Sequence, residues 1–307
     1  MCRVNFATYV KREGRKMERN RNLTKRIVES SVLIAFATVL SMLKLVDLPY
    51  GGSVTAASML PIAIIAYRHG VGMGLASGLV YATIQQLLGL NTLSYATSWK
   101  AVVAIIILDY IVAFTVVGFA GIAKGKLSSV IPQAPKRQSA ELGIGVVFVC
   151  ILRYVCHTVT GATVWAGLSI PNEAALIYSL GYNATYMIPE TIVTALAAVW
   201  LGSVIDLSKK TPERFIGTGA ENEARGSTCE LLSNLTTLII ILTVVLDTVL
   251  IAPHLQNEAS GEFDFSGLSS APSLAIAIIT IAGAISAAAV FVARKVLMKK
   301  QAENSEN

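Results

Sequence analysis

Arg153 and His157 stand inside an apolar run at 142–168, long enough to cross a bilayer at ~1.5 Å per residue. Ionisable side chains at that depth are expensive unless they are paired or used. Their i,i+4 spacing puts both on one helix face. Trp165 follows two turns further on, rotated by roughly 80° from His157. Two other apolar runs carry polar residues: Asp109 and Tyr110 at 101–123, and Tyr178, Tyr182, Asn183, Tyr186 and Glu190 at 174–205. One carboxylate, one imidazole, one amide and several aromatics suit a small, flat, cationic ligand. The carboxylate would balance its charge, the amide and imidazole would fix ring nitrogens, and the aromatic faces would offer cation–π contacts.

Each residue also has a packing role open to it. Asp109 can hold helices together by pairing with Arg153 or His157, and Arg153, the deeper of the two, has Glu190 as a candidate partner. Trp165 and Tyr178 fit an interfacial aromatic belt. Tyr178, Tyr182 and Tyr186, at i, i+4 and i+8, fit core packing, and Tyr178 and Asn183 stand some 140° apart on an ideal helix. Catalysis has no foothold: the sequence contains no Walker lysine loop, no GxSxG and no HExxH, so the chain is read as no enzyme and as unable to hydrolyse ATP itself. Cys2, Cys150, Cys156 and Cys229 form no CxxC and no zinc-finger spacing, so no disulfide, metal or cofactor is implied.

The elements that position these residues follow from composition. The chain is 54% apolar and 14% charged, with mean hydropathy +0.62. Soluble domains carry ~25% charged residues, so this is an all-α integral membrane protein. Eight candidate spans are legible, at 27–46, 54–67, 71–90, 101–123, 142–168, 174–205, 235–252 and 274–293. The first is too long for a signal-peptide core and is read as uncleaved. The second is short and carries Pro61. The third contains Gly72, Gly74, Ala76, Ser77 and Gly78, small residues that let membrane helices approach. The chain divides into a basic segment at 1–26, a six-helix substrate-binding domain at 27–207, a hydrophilic linker at 208–230, an additional helix pair at 231–298 and a tail at 299–307. In that pair Asp247 is the buried charge, read as structural.

The basic residues orient the spans. With the N-terminus cytoplasmic, the inner segments hold 22 of the 25 Lys and Arg, a strong positive-inside pattern. Both termini are therefore expected in the cytoplasm, in a multi-pass protein of the cell membrane. The net charge of +6 resides in those loops and speaks for a bilayer rather than for nucleic acid. In this orientation Asp109 lies roughly 12 Å below the outer surface, and His157, Trp165, Tyr178 and Asn183 converge on the same outer half.

These residues resemble the thiamine-specific S component of energy-coupling-factor (ECF) transporters, the ThiT family, over about 26–209. The resemblance is carried by Leu48-Pro49-Tyr50-Gly51-Gly52-Ser53-Val54-Thr55 with Met59-Leu60-Pro61-Ile62, by Tyr67-Arg68-His69-Gly70, by Leu108-Asp109-Tyr110-Ile111-Val112-Ala113-Phe114, by Arg153-Tyr154 and His157 with Trp165, and by Tyr178-Ser179-Leu180-Gly181-Tyr182-Asn183. It implies a six-helix membrane protein that captures thiamine from outside and associates with a transmembrane coupling subunit and two ATPases. It also implies that Asp109, Tyr110, His157, Trp165, Tyr178 and Asn183 contact the ligand. Ser31 and Ala35 match the family's small-x-x-x-small docking motif in the first helix. Three departures stand out. Some members have glutamate where Asp109 stands. Tryptophans of some members correspond to Gly52 and Tyr81 here. The helix pair at 231–298 is outside the six-helix pattern. From the residues alone, a proton-coupled secondary carrier using Asp109 and His157, or a non-transporting membrane scaffold, remains open.

Overall fold

The change from polar to apolar sequence after Arg26 falls inside one unbroken helix, α1 (Phe6–Met42). The structure, a computed structural model, describes residues 6–48, 51–167, 172–215, 220–255 and 265–306. After α1 the chain forms a small antiparallel hairpin, β1 (Lys44–Asp47) and β2 (Ser53–Thr55). Then come α2 (Leu60–His69), α3 (Val71–Leu88), a continuous helical span α4 (Trp99–Ala123), α5 (Ala134–Gly167) and α6 (Asn172–Val204). A second two-stranded ribbon, β3 (Ile205–Asp206) with β4 (Glu213–Arg214), leads to α7 (Ala220–Ile251) and α8 (Ser273–Glu306).

Among the described residues, six helices are long and apolar enough to cross a membrane: α3 to α8. The other two expected spans take different forms. The apolar half of α1 carries Glu29, whose carboxylate is bound by the buried Arg68 guanidinium and lies 3.1 Å from His69 Nε2. The segment expected to span at 54–67 is divided, its start lying in β2 and its remainder in α2, only ten residues long. Ten residues rise about 15 Å, half a hydrocarbon core, and Pro61 through Tyr67 are buried by the surrounding helices. Within the stretch expected as a linker, β4 pairs with β3 just ahead of it, and α7 begins at Ala220. In that ribbon Glu213, 2.8 Å away, holds exposed Lys209 above its ordinary value.

Close approach explains how so short a helix stays seated. A Cβ added at Gly74 would lie 2.9 Å from Ala66 Cα of α2 and 2.8 Å from the Gly118 carbonyl oxygen of α4, so the small-residue face of α3 is used for backbone contact. Gly72, on the same stretch, meets nothing within 4 Å. The chain is also tied at the basic end: Arg68 donates to the Leu207 and Lys209 carbonyls at 2.7 and 3.2 Å. Nearby, Gln138 donates to Gly202 O at 2.9 Å and accepts from Leu207 N at 2.9 Å. α7 and α8 pack on each other and, through α7, on α6. Asp247 Oδ2 accepts from Thr280 Oγ1 at 2.7 Å, which pins α7 to α8 and gives that carboxylate a structural contact.

Candidate functional site

At the end of the bundle opposite Arg68, α4 leaves regular geometry. Residues Ile105–Val112 form a π-helical segment, in which i→i+5 bonding widens the turn and narrows the angle between successive side chains; such segments recur at functional sites. The wide turn lets the neighbours Asp109 and Tyr110 both line one cavity of about 380 Å³. Tyr110 is positioned by its hydroxyl, which lies 3.2 Å from Thr92 Oγ1 and 3.2 Å from the Gly89 carbonyl.

α5 presents Arg153 and His157 to the same cavity. His157 Nδ1 bonds the Asp109 carboxylate, with the imidazole 7% and the carboxylate 28% exposed. His157 Nε2 lies 3.3 Å from Arg153 Nη2. A guanidinium can only donate, so Nε2 is the acceptor and the neutral ring's proton is assigned to Nδ1, facing Asp109. Arg153 makes no ion pair with Glu190. Its guanidinium lies over the Phe114 ring at 4.3 Å from the centroid, its Nη1 reaches the Met59 sulfur, and its Nε has no partner. The buried Glu190 instead accepts from Thr55 N at 2.6 Å and Thr55 Oγ1 at 2.7 Å.

That contact makes Glu190 the anchor of the hairpin, which reaches across the cavity with Lys44, Gly51, Gly52, Ser53 and Thr55 on the lining. A second anchor is Gly52 N, which donates to Tyr182 Oη at 2.9 Å. The glycine is required there: a Cβ would lie 2.6 Å from that hydroxyl and 2.7 Å from the Tyr186 ring. On α6, Asn183 Oδ1 accepts from Tyr186 Oη at 2.6 Å and Nδ2 donates to Ser179 O at 2.9 Å. The Tyr186 ring stands edge-on to both His157 and Tyr182, at 6.1 and 5.7 Å between centroids.

Asp109, Tyr110, His157 and Asn183, expected from sequence to converge, do line one cavity. Tyr178 is not on its lining; its ring meets Phe265 at 6.2 Å, on another face of α6. The side chain of Trp165 lies outside the described residues, although its backbone continues α5. Tyr182, Tyr186, Thr55, Ser58, Gln85 and Glu190 also line the cavity without having been singled out as ligand contacts. The signal for the α6 residues was available: from Asn183, the positions i+3, i+4 and i+7 are Tyr186, Met187 and Glu190, one helix face. Tyr178 is off that face. Ser31 and Ala35 are both exposed on α1, and Cys150, Cys156 and Cys229 are free thiols.

The sequence over 27–208 matches the family described as thiamine transporter protein (Thia_YuaJ). A Bacillus subtilis (strain 168) protein named thiamine transporter ThiT is 31% identical over 174 residues, covering 56% of this chain and 86% of that protein. A Lacticaseibacillus paracasei protein of the same name is 24% identical over 176 residues, covering 55% and 82%. The solved structure of ThiT from Listeria monocytogenes aligns over 58% of this chain and 93% of its own, at 21% identity and a TM-score of 0.48. The matched region ends at 208, between β3 and β4, and it contains the cavity-lining parts of every helix that lines the cavity. By this match over more than half its length, the chain belongs to the thiamine transporter protein family.

Proposed function

We propose that this chain captures thiamine in the α4–α5–α6 cavity and delivers it across the cell membrane as the S component of an energy-coupling-factor importer. In that role it works with a transmembrane coupling subunit and two ATPases, and it performs no chemistry on its ligand. The observation that carries the reading is the state of the two carboxylates on the cavity wall. Glu190 is buried and occupied by Thr55, whereas Asp109 remains 28% exposed beside aromatic rings. A partly open carboxylate among aromatic faces fits a thiazolium, whose positive charge is permanent. The rings of Tyr110, Tyr182 and Tyr186 supply those faces, with Trp165 as a further candidate, and Tyr178 acts at a distance from the ligand. Asn183 and His157 orient the aminopyrimidine.

The exposed face of α1 with Ser31 and Ala35 is the docking surface for the coupling subunit, because small side chains there allow another helix to approach closely. The direct contact of Asp109 with His157 is the one feature that a proton-coupled carrier would also use. Calorimetric titration of the purified full chain tests the binding reading. Thiamine should bind saturably at one site, and an analogue lacking the thiazolium charge should bind far more weakly. Equal binding of the charged and neutral compounds, or no binding of thiamine, would remove the reading.

A further inference from the structure

The helices α7 and α8 have no counterpart in the substrate-binding unit, and they carry little buried surface: among their described side chains only Ala287 is fully buried. Yet two short helical segments, Ala252–Leu255 and Ser266–Ser270, do not lie idle against lipid. Leu255, in the 3₁₀ segment Ala252–Leu255, is 2% exposed and belongs to the same core cluster as Val46 and Leu48 of the β1–β2 hairpin, with Ile251 and Ala252 packed against that cluster. α7 itself touches β1. Phe265, at the start of the Ser266–Ser270 segment, sets its ring on Tyr178 and over Gly181, where any side chain would collide with it. His254 Nδ1 and Ser270 Oγ, 3.1 Å apart, tie the two segments to each other.

The contacts of α7 with β1 and of Phe265 with Gly181 fall on two structures that line the cavity. One is the hairpin, held down by Glu190 and Tyr182. The other is the turn of α6 bearing Gly181, immediately before the cavity residues Tyr182 and Asn183. Outward movement of the hairpin or of this part of α6 would open the cavity further. We infer that α7, where it meets β1, and Phe265, where it sits on Gly181, act as a strap on these two walls, by which the appended helix pair slows the entry and release of ligand without touching it. Phe265 is thus a positioning residue, acting through Gly181 on the helix that carries Tyr182 and Asn183. The kinetic part of the inference rests on the cavity being the thiamine site; its mechanical part does not.

The test uses the full chain. Phe265→Ala removes the ring, and Gly181→Ala displaces it from the opposite side. In both, release of labelled thiamine should quicken at least about fivefold, which is ~1 kcal/mol on the opening barrier at 1.4 kcal/mol per tenfold. Entry should quicken too, so that affinity changes less than either rate. Leu274→Ala, at a side chain 75% exposed on α8, should leave both rates unchanged. Without ligand, hydrogen exchange should accelerate at the hairpin amides and around Gly181 in the two strap variants, and not in α4. Release and exchange equal to those of the unmodified chain would overturn the inference. Should thiamine fail to bind even the unmodified chain, the proposed function falls and the exchange comparison alone decides the strap. Should the variants fail to fold, the unmodified chain decides: hairpin amides exchanging faster than those of Ala252–Leu255 and Ser266–Ser270 would show that the strap does not hold the hairpin down.

Discussion

Because Asp109 already bonds His157, and Arg153 meets the far nitrogen of the same ring, a substitution at one of the three disturbs the other two. Asp109→Asn keeps the shape of the side chain and removes its charge. Truncating one partner of a buried hydrogen-bonded charge pair costs roughly 2–5 kcal/mol, so thiamine affinity should fall at least about 30-fold. His157→Ala leaves a hydrogen-bond partner unsatisfied and should cost about 1–3 kcal/mol. The double variant should lose less than the sum, by about 0.5–3 kcal/mol, as residues in one network do. Calorimetry on all four proteins measures this, and additive losses would mean that the two side chains act on the ligand independently. At this scale the polar residues inside apolar runs were legible, because their cost in a membrane singles them out. The place of Tyr178 beside Phe265 was not legible, because an aromatic near a helix end looks alike whether it lines a cavity or packs on a neighbour. The partner of Glu190 was illegible for another reason: Thr55 is 135 positions away and enters the core only because a hairpin folds inward.

Elements explain why that hairpin matters. β1 and β2 consume residues that the hydropathy pattern assigns to a span, and the ten-residue α2 that remains is long enough only to plug the bundle. Hydropathy reports burial and cannot separate burial in lipid from burial among helices, so a half-length helix reads as a short span. The π-helical segment of α4 is likewise silent in sequence, since no residue type demands it. Gly52 offers the sharpest test of the hairpin as a cover. Gly52→Ala places a methyl against Tyr182 and Tyr186, an overpacking that costs about 1–3 kcal/mol. The cover should then seat poorly, and thiamine affinity should drop roughly tenfold; an unchanged affinity would mean that the hairpin does not close on the ligand. On α1 the expectation reverses. Ala35→Leu adds bulk to an exposed position that is off the cavity lining, so binding should persist while transport with partner subunits is lost. Loss of binding instead would show that this face packs within the chain.

For the whole molecule, the distribution of Lys and Arg predicts an orientation. A reporter fused after Asn307 should be cytoplasmic, and one inserted at 258–266 should be external; reversed signals would overturn the eight-segment topology. That expected orientation would put the mouth of the cavity outside and the Arg68–Glu29 cluster inside, as the proposed import requires. The division into a six-helix unit and an appended pair was legible from the hydrophilic stretch that follows α6. The pair's contacts with the hairpin were not, because they join residues some 200 positions apart whose types are ordinary apolar ones. The decisive measurement is uptake of labelled thiamine into proteoliposomes. Reconstituted alone, this chain should bind thiamine at the membrane surface and accumulate none inside, with or without a pH gradient. Adding the coupling subunit, both ATPases and ATP should start accumulation, and Asp109→Asn should reduce it at subsaturating thiamine by weakening capture. Uptake by this chain alone, driven by a pH gradient and lost in Asp109→Asn, would contradict the account and make the Asp109–His157 pair a proton relay.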